Sequence, residues 1–147
     1  MNITIRKFER TDADAIIGMM RKFYGSPAVI TNGSEEIFAA NVANCLNGST
    51  CAEGFVFVDD AKIIGYAITT RSYSTEFGSE CIWLEDIFIA QEYRGRGIGS
   101  EFIRRVKDLH PDKILRLESE AGNAKALSFY ERFGFKPLPY LELVLPR

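Results

Sequence analysis

The sequence predicts an α+β fold, and two observations lead to this prediction. Its first half contains short apolar strands and two amphipathic helical segments, whereas its second half runs strand, helix, strand, helix. In addition, the strand at residues 81–90 continues into a turn rich in glycine and arginine, after which apolar residues recur at helical spacing. We expect the early strands to pair antiparallel and the later ones to be joined by crossover helices.

The individual elements are predicted from periodicity and from capping residues. Residues 2–8 alternate as a strand, Thr11 is placed to cap a first helix, and Ser34 is placed to cap a second. Further strands are expected at 52–58, 62–71, 81–90, 114–117 and 138–145, helices at 98–110 and 123–133, and a polar loop at 72–79. We expect these elements to form one domain over residues 1–147.

Length and composition exclude several classes of protein. Hydrophobic residues make up 46% and charged residues 26% of the chain, as in ordinary globular proteins. The sequence has no apolar run long enough to cross a bilayer, and its N-terminus lacks the apolar centre of a signal peptide. Three cysteines without metal-ligand spacing and a single histidine, His110, predict neither a zinc site nor a histidine-based triad. We therefore expect a cytoplasmic protein that holds no metal.

The net charge of −2 is distributed unevenly along the chain. Residues 25–90 contain nine acidic and two basic side chains, a net charge of −7, whereas residues 91–147 carry a net charge of +3. Basic residues after the glycine-rich turn are interspersed with Glu101 and Asp108, and the isoelectric point is near 5.5. A nucleic-acid partner is therefore not expected, and the acidic middle segment favours a cationic one.

The turn at residues 94–100, RGRGIGS, has the features of a phosphate-binding loop. Gly95, Gly97 and Gly99 allow backbone N–H groups to approach a ligand closely, and the start of the following helix adds unpaired donors and partial positive charge. The loop lacks the lysine of a Walker sequence, and its glycine spacing does not match the dinucleotide fingerprint. A glycine-rich connection without a ligand is the alternative that the turn alone leaves open.

Two motifs, Arg94-x-x-Gly97-x-Gly99 in the turn and NAKALSFYERFGF at residues 123–135, together resemble the GNAT superfamily of acyl-CoA-dependent N-acetyltransferases. Arg94-x-x-Gly97-x-Gly99 resembles the family's pyrophosphate-binding motif. Residues 123–135, NAKALSFYERFGF, resemble the family's helix after the fifth strand, which typically has Asn, Ala, Phe-Tyr and Gly-Phe in this order. Residues 83–88, WLEDIF, are similar to the diamine (polyamine) acetyltransferase branch. The resemblance implies a mixed central sheet of about six to seven strands flanked by about four helices.

The same resemblance implies that acetyl-CoA is the acetyl donor and lies between the diverging fourth and fifth strands. Its pantetheine would pair with the backbone of the fourth strand, and its pyrophosphate would bind the glycine turn. The implied cofactor-binding residues are Ile87, Phe88, Ile89, Arg94, Gly95, Arg96, Gly97, Ile98, Gly99, Ser100 and Asn123. Arg96 is equally well explained as a solvated surface arginine, and Asn123 as a helix cap alone.

Tyr130 and Glu85 are the candidate catalytic residues. A phenol such as that of Tyr130 can protonate the thiolate that leaves when an amine attacks a thioester, although a core aromatic beside Phe129 is the alternative. The resemblance to the polyamine branch implies that Glu85 removes a proton from the amine. Asp86 is adjacent on the same strand, so alternation predicts that only one of the two carboxylates faces the cleft.

These features lead us to expect a small cationic amine of polyamine or aminoglycoside type as the acceptor, bound by Glu85, Asp86 and Tyr24. Two alternatives remain, namely a protein lysine or N-terminus as acceptor and a non-catalytic module that binds acyl-CoA. The presence of both Tyr130 and Glu85 argues against the binding module. No membrane partner is expected, and a homodimer is compatible with the sequence, which does not fix the oligomeric state.

Overall fold

In the part of the chain that the structure describes, the central sheet has five strands, and four helices cover it. A computed structural model describes residues 1–48 and 51–147. The strands are β1 Ile3–Lys7, β2 Ala52–Asp59, β3 Lys62–Ser74, β4 Ser79–Ile89 and β5 Ile114–Leu117. The helices are α1 Ala13–Tyr24, α2 Glu35–Leu46, α3 Ile98–Leu109 and α4 Ala124–Glu131. The predicted α+β fold with a mixed sheet and four helices is confirmed for the described residues.

The strands lie in sequence order, β1-β2-β3-β4-β5. The first four pair antiparallel, because short connections join them, whereas β5 pairs parallel to β4 after the α3 crossover. No helix in the described part of the chain is long and apolar enough to cross a membrane. The change from antiparallel to parallel pairing occurs at β4, the strand that carries the candidate site residues.

Two apolar cores form, one on each face of the sheet. The core beneath α1 and α2 includes Ile16, Met20, Phe38, Val56, Tyr66 and Phe88. The core beneath α3 includes Phe57, Ile82, Leu84, Phe102 and Ile103, and the aromatic residues of α4 pack against it. Alternation along each strand separates the two sets, as expected for a sheet buried on both faces.

The prediction of six to seven strands is wrong for the described residues, since they form five. Residues 138–145 do not form the expected last strand, and Leu141, Leu143, Val144 and Leu145 are 83–95% exposed. Apolar alternation favours a strand only where a ladder partner is present, and this segment has none among the described strands. The expected loop at 72–79 is shortened to a turn at residues 75–78, because β3 and β4 continue to the Ser74–Ser79 pair.

The helix boundaries also differ in part from prediction. Helix α1 begins at Ala13, and its N-cap is Asp12 rather than Thr11. Asp12 is buried, accepts the Glu9 backbone N–H at 2.8 Å and pairs with Arg6 at 2.7 Å, which fixes the chain direction before the helix. The Ser34 cap of α2 is confirmed, because its side chain accepts the N–H of Ile37.

Candidate active site

A β-bulge in β4 centres on Glu85. Across β3 and β4, Ile68 pairs with Asp86 and Thr69 pairs with Leu84, so Glu85 is the extra residue on the bulged strand. Leu84 consequently packs into the core beneath α3, whereas Asp86 points to the side of α1 and α2. The expectation that only one of the two adjacent carboxylates faces the cleft is wrong, because the bulge interrupts the alternation on which it rested.

Glu85 and Asp86 line one cavity of about 310 Å³ on the α1–α2 side of the sheet. Its described lining residues are Tyr24, Asn41, Asn44, Cys51, Ala52, Ile68, Thr70, Glu85 and Asp86. Glu85 is exposed at the rim, and its carboxylate accepts a hydrogen bond from Thr70 Oγ1 at 2.6 Å. Asp86 lies deeper and is 5% exposed. The three residues predicted to bind substrate therefore share this cavity.

Two phenols hold the Asp86 carboxyl. Tyr66 Oη donates to Oδ2 at 2.8 Å, and Tyr24 Oη donates to Oδ1 at 3.0 Å. Burial raises the pKa of Asp86 and outweighs the opposing effect of the two hydroxyl donors. Burial and the nearby charge of Asp86 also raise the pKa of both phenols, so they remain hydrogen-bond donors. Tyr66 is fully buried and was not predicted as a site residue.

The upper part of β4 has an unpaired edge. Residues 86–89 pair with β3 on one side, but β5 pairs only with Cys81–Leu84 on the other. The parallel pairing ends at Leu84 and Leu117, where β5 itself ends, and no described strand takes up the backbone of Glu85–Ile89 on that side. Such an edge offers peptide N–H and C=O groups to an extended, amide-containing ligand.

The glycine turn leads from this edge into α3. Gly95 and Gly97 have positive φ angles of 75° and 81°, which favour glycine, and a Cβ built on either would meet no protein atom within 4 Å. The first helical hydrogen bond runs from Glu101 N to Gly97 O at 2.9 Å. The N–H groups of residues 98–100 precede this bond and have no carbonyl within the helix to which they can donate. Open space and oriented donors together fit a phosphate.

Gly99 has a different role from the other two glycines. A Cβ on Gly99 would lie 3.3 Å from Phe129 Cζ and 3.7 Å from Ile89 Cδ1. Its lack of a side chain therefore lets the start of α3 pack closely against α4 and β4. Gly99 brings the turn and the helix that carries Tyr130 together.

The two arginines of the turn fold back onto the protein. Arg94 Nε donates to Ile89 O at 2.8 Å, with its guanidinium 5.9 Å from the Phe88 ring centroid. Arg96 donates to Glu92 O at 2.8 Å and lies over the Tyr93 ring. Both side chains are thus placed at the turn by backbone carbonyls, and both remain exposed.

Helix α4 carries Asn123 and Tyr130. The Asn123 side chain caps the helix by accepting the Ala126 N–H at 3.2 Å. The Tyr130 ring packs at 5.2 Å from Phe129 and 5.8 Å from Phe135, within the core beneath α3. Burial raises the pKa of Tyr130, which keeps its hydroxyl protonated at neutral pH. The residue is an aromatic packing residue, and its protonated hydroxyl is chemically suited to donate a proton.

A sequence model of the acetyltransferase (GNAT) family matches residues 18–135, which include the bulge, the glycine turn and α4. The chain belongs to the GNAT family. A thialysine N-epsilon-acetyltransferase of Bos taurus is 40% identical to it over 83 residues, which are 54% of this chain and 48% of that protein. A spermine/spermidine N(1)-acetyltransferase of Bacillus subtilis (strain 168) is 26% identical over 83 residues, 52% of this chain and 55% of that protein. The chain spans about half the length of these curated relatives.

The GNAT fold is also shared with solved structures over the whole chain. AAC(6')-Iy in complex with the bisubstrate analog CoA-S-monomethyl-acetylneamine superposes with a TM-score of 0.81 at 17% identity, covering 100% of this chain and 99% of that one. At this identity the likeness supports the fold alone. Within the described residues, no group of three or more His, Cys, Asp or Glu side chains is arranged to hold a metal ion.

Glu118 is a further carboxylate near the candidate site that sequence reasoning missed. Leu84 and Leu117 form the last pair between β4 and β5, and Glu85 and Glu118 directly follow this pair. Although Glu118 is exposed, desolvation by its neighbours and the Glu142 and Glu85 carboxyls raise its pKa to about 7. Its position directly after the short apolar strand β5 was the available sequence signal, because the ends of parallel strands often carry site residues.

The acidic character of residues 25–90 is only partly a property of the cavity. Of the nine carboxylates in this segment, Glu85 and Asp86 line it. Several others form surface ion pairs, such as Glu35 with Arg21, Glu53 with Lys7 and Glu80 with Lys113. Among the acidic residues of this segment, those that line the cavity therefore both come from β4.

Proposed function

We propose that this GNAT protein transfers the acetyl group of acetyl-CoA to a primary amine of a small cationic acceptor. The observation that carries the proposal is the bulge at Glu85, because it places two carboxylates in one cavity at the level where the β4 edge becomes unpaired. A cavity lined by negative charge attracts an ammonium ion. An unpaired β edge and a glycine turn beside it can hold an amide- and phosphate-containing donor.

Acetyl-CoA would supply the acetyl group as an activated thioester. The residues that would bind it are the backbone of Ile87–Ile89 and the N–H groups of the glycine turn at 95–100, with Arg94 and Arg96 adding positive charge and Asn123 at the start of α4. The open space at Gly95 and Gly97 and the oriented donors at residues 98–100 support this assignment. A Cβ at either glycine would occupy space that the ligand requires.

Glu85 takes a proton from the acceptor ammonium, directly or through water, and leaves a neutral amine with a free lone pair. That nitrogen forms a bond to the acetyl carbon while the carbon–sulfur bond breaks. Tyr130 donates its phenolic proton to the departing sulfur, the nitrogen releases its second proton to water as the amide forms, and the Tyr130 phenolate takes a proton back from water. The products are therefore an amide and a thiol. Asp86, held by Tyr24 and Tyr66, stays in place as a second negative group for a cationic acceptor.

The names of the relatives support an amine as the acceptor, since they are acetyltransferases of thialysine and of spermine and spermidine. An assay of CoA thiol release from acetyl-CoA tests the proposal. Diamines, polyamines and aminoglycosides are compared with neutral amino acids and peptides for thiol release from acetyl-CoA, at low and raised salt. We expect the cationic small amines to be the best acceptors and salt to weaken their apparent affinity.

Glu85→Gln provides the matched variant for this assay, with the exposed Glu101→Gln on α3 as its control. We expect Glu85→Gln to lower turnover by about 10²–10⁴-fold near neutral pH, and the loss to shrink as pH rises and the amine deprotonates without help. Preferred acetylation of peptides would replace the proposal with a protein acceptor. If the protein binds acetyl-CoA but releases no CoA thiol with any amine, the proposed transferase activity is wrong and the chain is an acyl-CoA-binding module.

A further inference from the structure

Arg116 lies on the cavity face of the sheet, in a row that crosses three strands. Thr70 on β3 pairs in register with Trp83 on β4, which pairs with Arg116 on β5. Residues directly opposite each other on neighbouring strands point to the same face of a sheet. Since Thr70 lines the cavity and holds Glu85, the row places a cation beside the acidic cavity.

The Arg116 guanidinium is held by aromatic rings rather than by an ion pair. Its Cζ lies 4.5 Å from the Trp83 ring centroid and 5.8 Å from that of Phe77. The Trp83 indole N–H donates to Ser72 Oγ at 2.9 Å, which fixes the ring orientation. Within residues 1–48 and 51–147, Arg116 forms no hydrogen bond or salt bridge, although it is partly buried. Stacking occupies the face of the guanidinium and leaves its N–H donors available in the plane.

Positive and negative groups are spaced along β4 and β5. Arg116 pairs with Trp83 on β4, and Glu85 is two residues beyond Trp83, so Arg116 and Glu85 differ by about 7 Å along the strands. Glu118 directly follows Leu117, the last residue of β5. An acceptor whose amine reaches Glu85 therefore extends past Arg116 if its other end points down the strands. A second ammonium at that end would be repelled, and a carboxylate would be attracted.

We propose that Arg116 binds a carboxylate of the acceptor, and that the acceptor is an amino acid with a terminal side-chain amine, of the lysine type. The separation between the amine nitrogen and the carboxylate carbon of extended lysine is roughly 7 Å, from bond lengths near 1.5 Å. Such an acceptor carries two ammonium groups and one carboxylate, so it is still attracted by the acidic cavity. This inference rests on the proposed function and narrows its acceptor class.

A planar guanidinium is well suited to this role, because it can donate two parallel hydrogen bonds to a carboxylate. Charge-assisted hydrogen bonds at partly buried positions contribute enough to change affinity by about ten- to a hundredfold. A linear polyamine has no group for these donors. Arg116 would therefore make the protein discriminate between diamino acids and the corresponding diamines, which lack the carboxylate.

Three probes and two variants test the inference. L-lysine is compared with 1,5-diaminopentane, which lacks the carboxylate, and with L-lysinamide, in which the carboxylate is neutralised. We expect kcat/KM of the wild-type protein to be at least about tenfold higher for L-lysine than for either analogue. Arg116→Gln should remove this preference by lowering only the L-lysine value. Arg105→Gln, an exposed change on α3, should leave all three values unchanged.

Equal use of L-lysine and its two analogues by the wild-type protein would overturn the inference, whether or not the Arg116→Gln variant folds. A similar loss for all three probes in a folded Arg116→Gln variant would also overturn it and assign Arg116 to packing. Calorimetry of the three probes, without turnover, separates this inference from the proposed function. If no amine is acetylated, the proposed function fails, and tighter binding of L-lysine than of the diamine still supports Arg116 as the carboxylate site.

Discussion

Replacement of Tyr66 by phenylalanine removes the most buried donor to Asp86. The hydroxyl lies 2.8 Å from Asp86 Oδ2, and Tyr66 is fully buried, so water has no access to replace it. A hydrogen bond to a charged group contributes about 1.5–3 kcal/mol, and we expect Tyr66→Phe to lower the free energy of unfolding by this amount near pH 8. Tyr24 lines the open cavity, where water can replace its hydroxyl, so Tyr24→Phe should cost only about 0.5–1.5 kcal/mol.

The cost of Tyr66→Phe should depend on pH in a defined direction. Burial already raises the pKa of Asp86, and loss of a donor that stabilises the carboxylate raises it further. A carboxyl whose folded-state pKa lies above its unfolded value destabilises the protein increasingly as pH rises between the two values. The variant should therefore lose more stability relative to wild type near pH 8 than near pH 5.

Urea unfolding at the two pH values measures this difference, and Tyr73→Phe is the matched control. Tyr73 is on the same strand and is 64% exposed, so loss of its hydroxyl should have little effect at either pH. In an Asp86→Asn background, the additional cost of Tyr66→Phe should fall to about 1 kcal/mol, because the acceptor is then neutral. A Tyr66→Phe variant as stable as Tyr73→Phe near pH 8 would refute an ionised Asp86 held by Tyr66.

Three further predictions concern the acetyl-CoA site, the general acid Tyr130 and the carboxyl of Glu118, which follows β5. Gly97→Val should weaken CoA binding in calorimetry by at least about tenfold, because its Cβ enters the ligand space and its backbone is strained. Gly78, in the β3–β4 turn, has a similar positive φ and open space, so the control variant Gly78→Val should bind CoA normally. Equal losses of CoA affinity in both variants would contradict CoA binding at the glycine turn. Tyr130→Phe should lower turnover by about 10²–10⁴-fold with CoA affinity retained, and a wild-type rate would make Tyr130 a core residue only. Because the pKa of Glu118 is raised to about 7, wild-type stability should decline as pH rises toward 7, and Glu118→Gln should remove part of this decline in pH-dependent unfolding. An unchanged pH dependence in that variant would contradict the raised pKa.

The local features of this chain were predictable from sequence. The Ser34 and Asn123 caps and the positive φ at Gly95 and Gly97 depend on single residues and their immediate neighbours. Such features need no knowledge of distant contacts. The motifs at residues 94–100 and 123–135 were recognisable because each is a short contiguous stretch of sequence. Both lie within the region that the family model matches.

The features that depend on strand register were not predictable. The bulge at Glu85 arises from how β4 aligns with β3, and no residue type in WLEDIF indicates it. Without the bulge, one of the two carboxylates would face away from the cavity. From the sequence, Tyr66 is typical of the apolar residues in a buried strand. Its hydroxyl contacts Asp86, which is 20 residues away in the sequence, only because β3 pairs with β4. The position of Arg116 beside the cavity follows only from its pairing with Trp83, and that of Glu118 only from its place after the Leu84–Leu117 pair.

The most direct test of acetyl transfer uses acetyl-CoA that is isotopically labelled in the acetyl group, together with a mixture of small amines. Mass spectrometry of the products should detect a labelled amide in equal amount to the free CoA thiol, with both reduced in Glu85→Gln and in Tyr130→Phe. Bound acetyl-CoA that remains intact in the presence of every amine, with no labelled amide formed, would contradict the account and leave the chain as an acyl-CoA-binding protein.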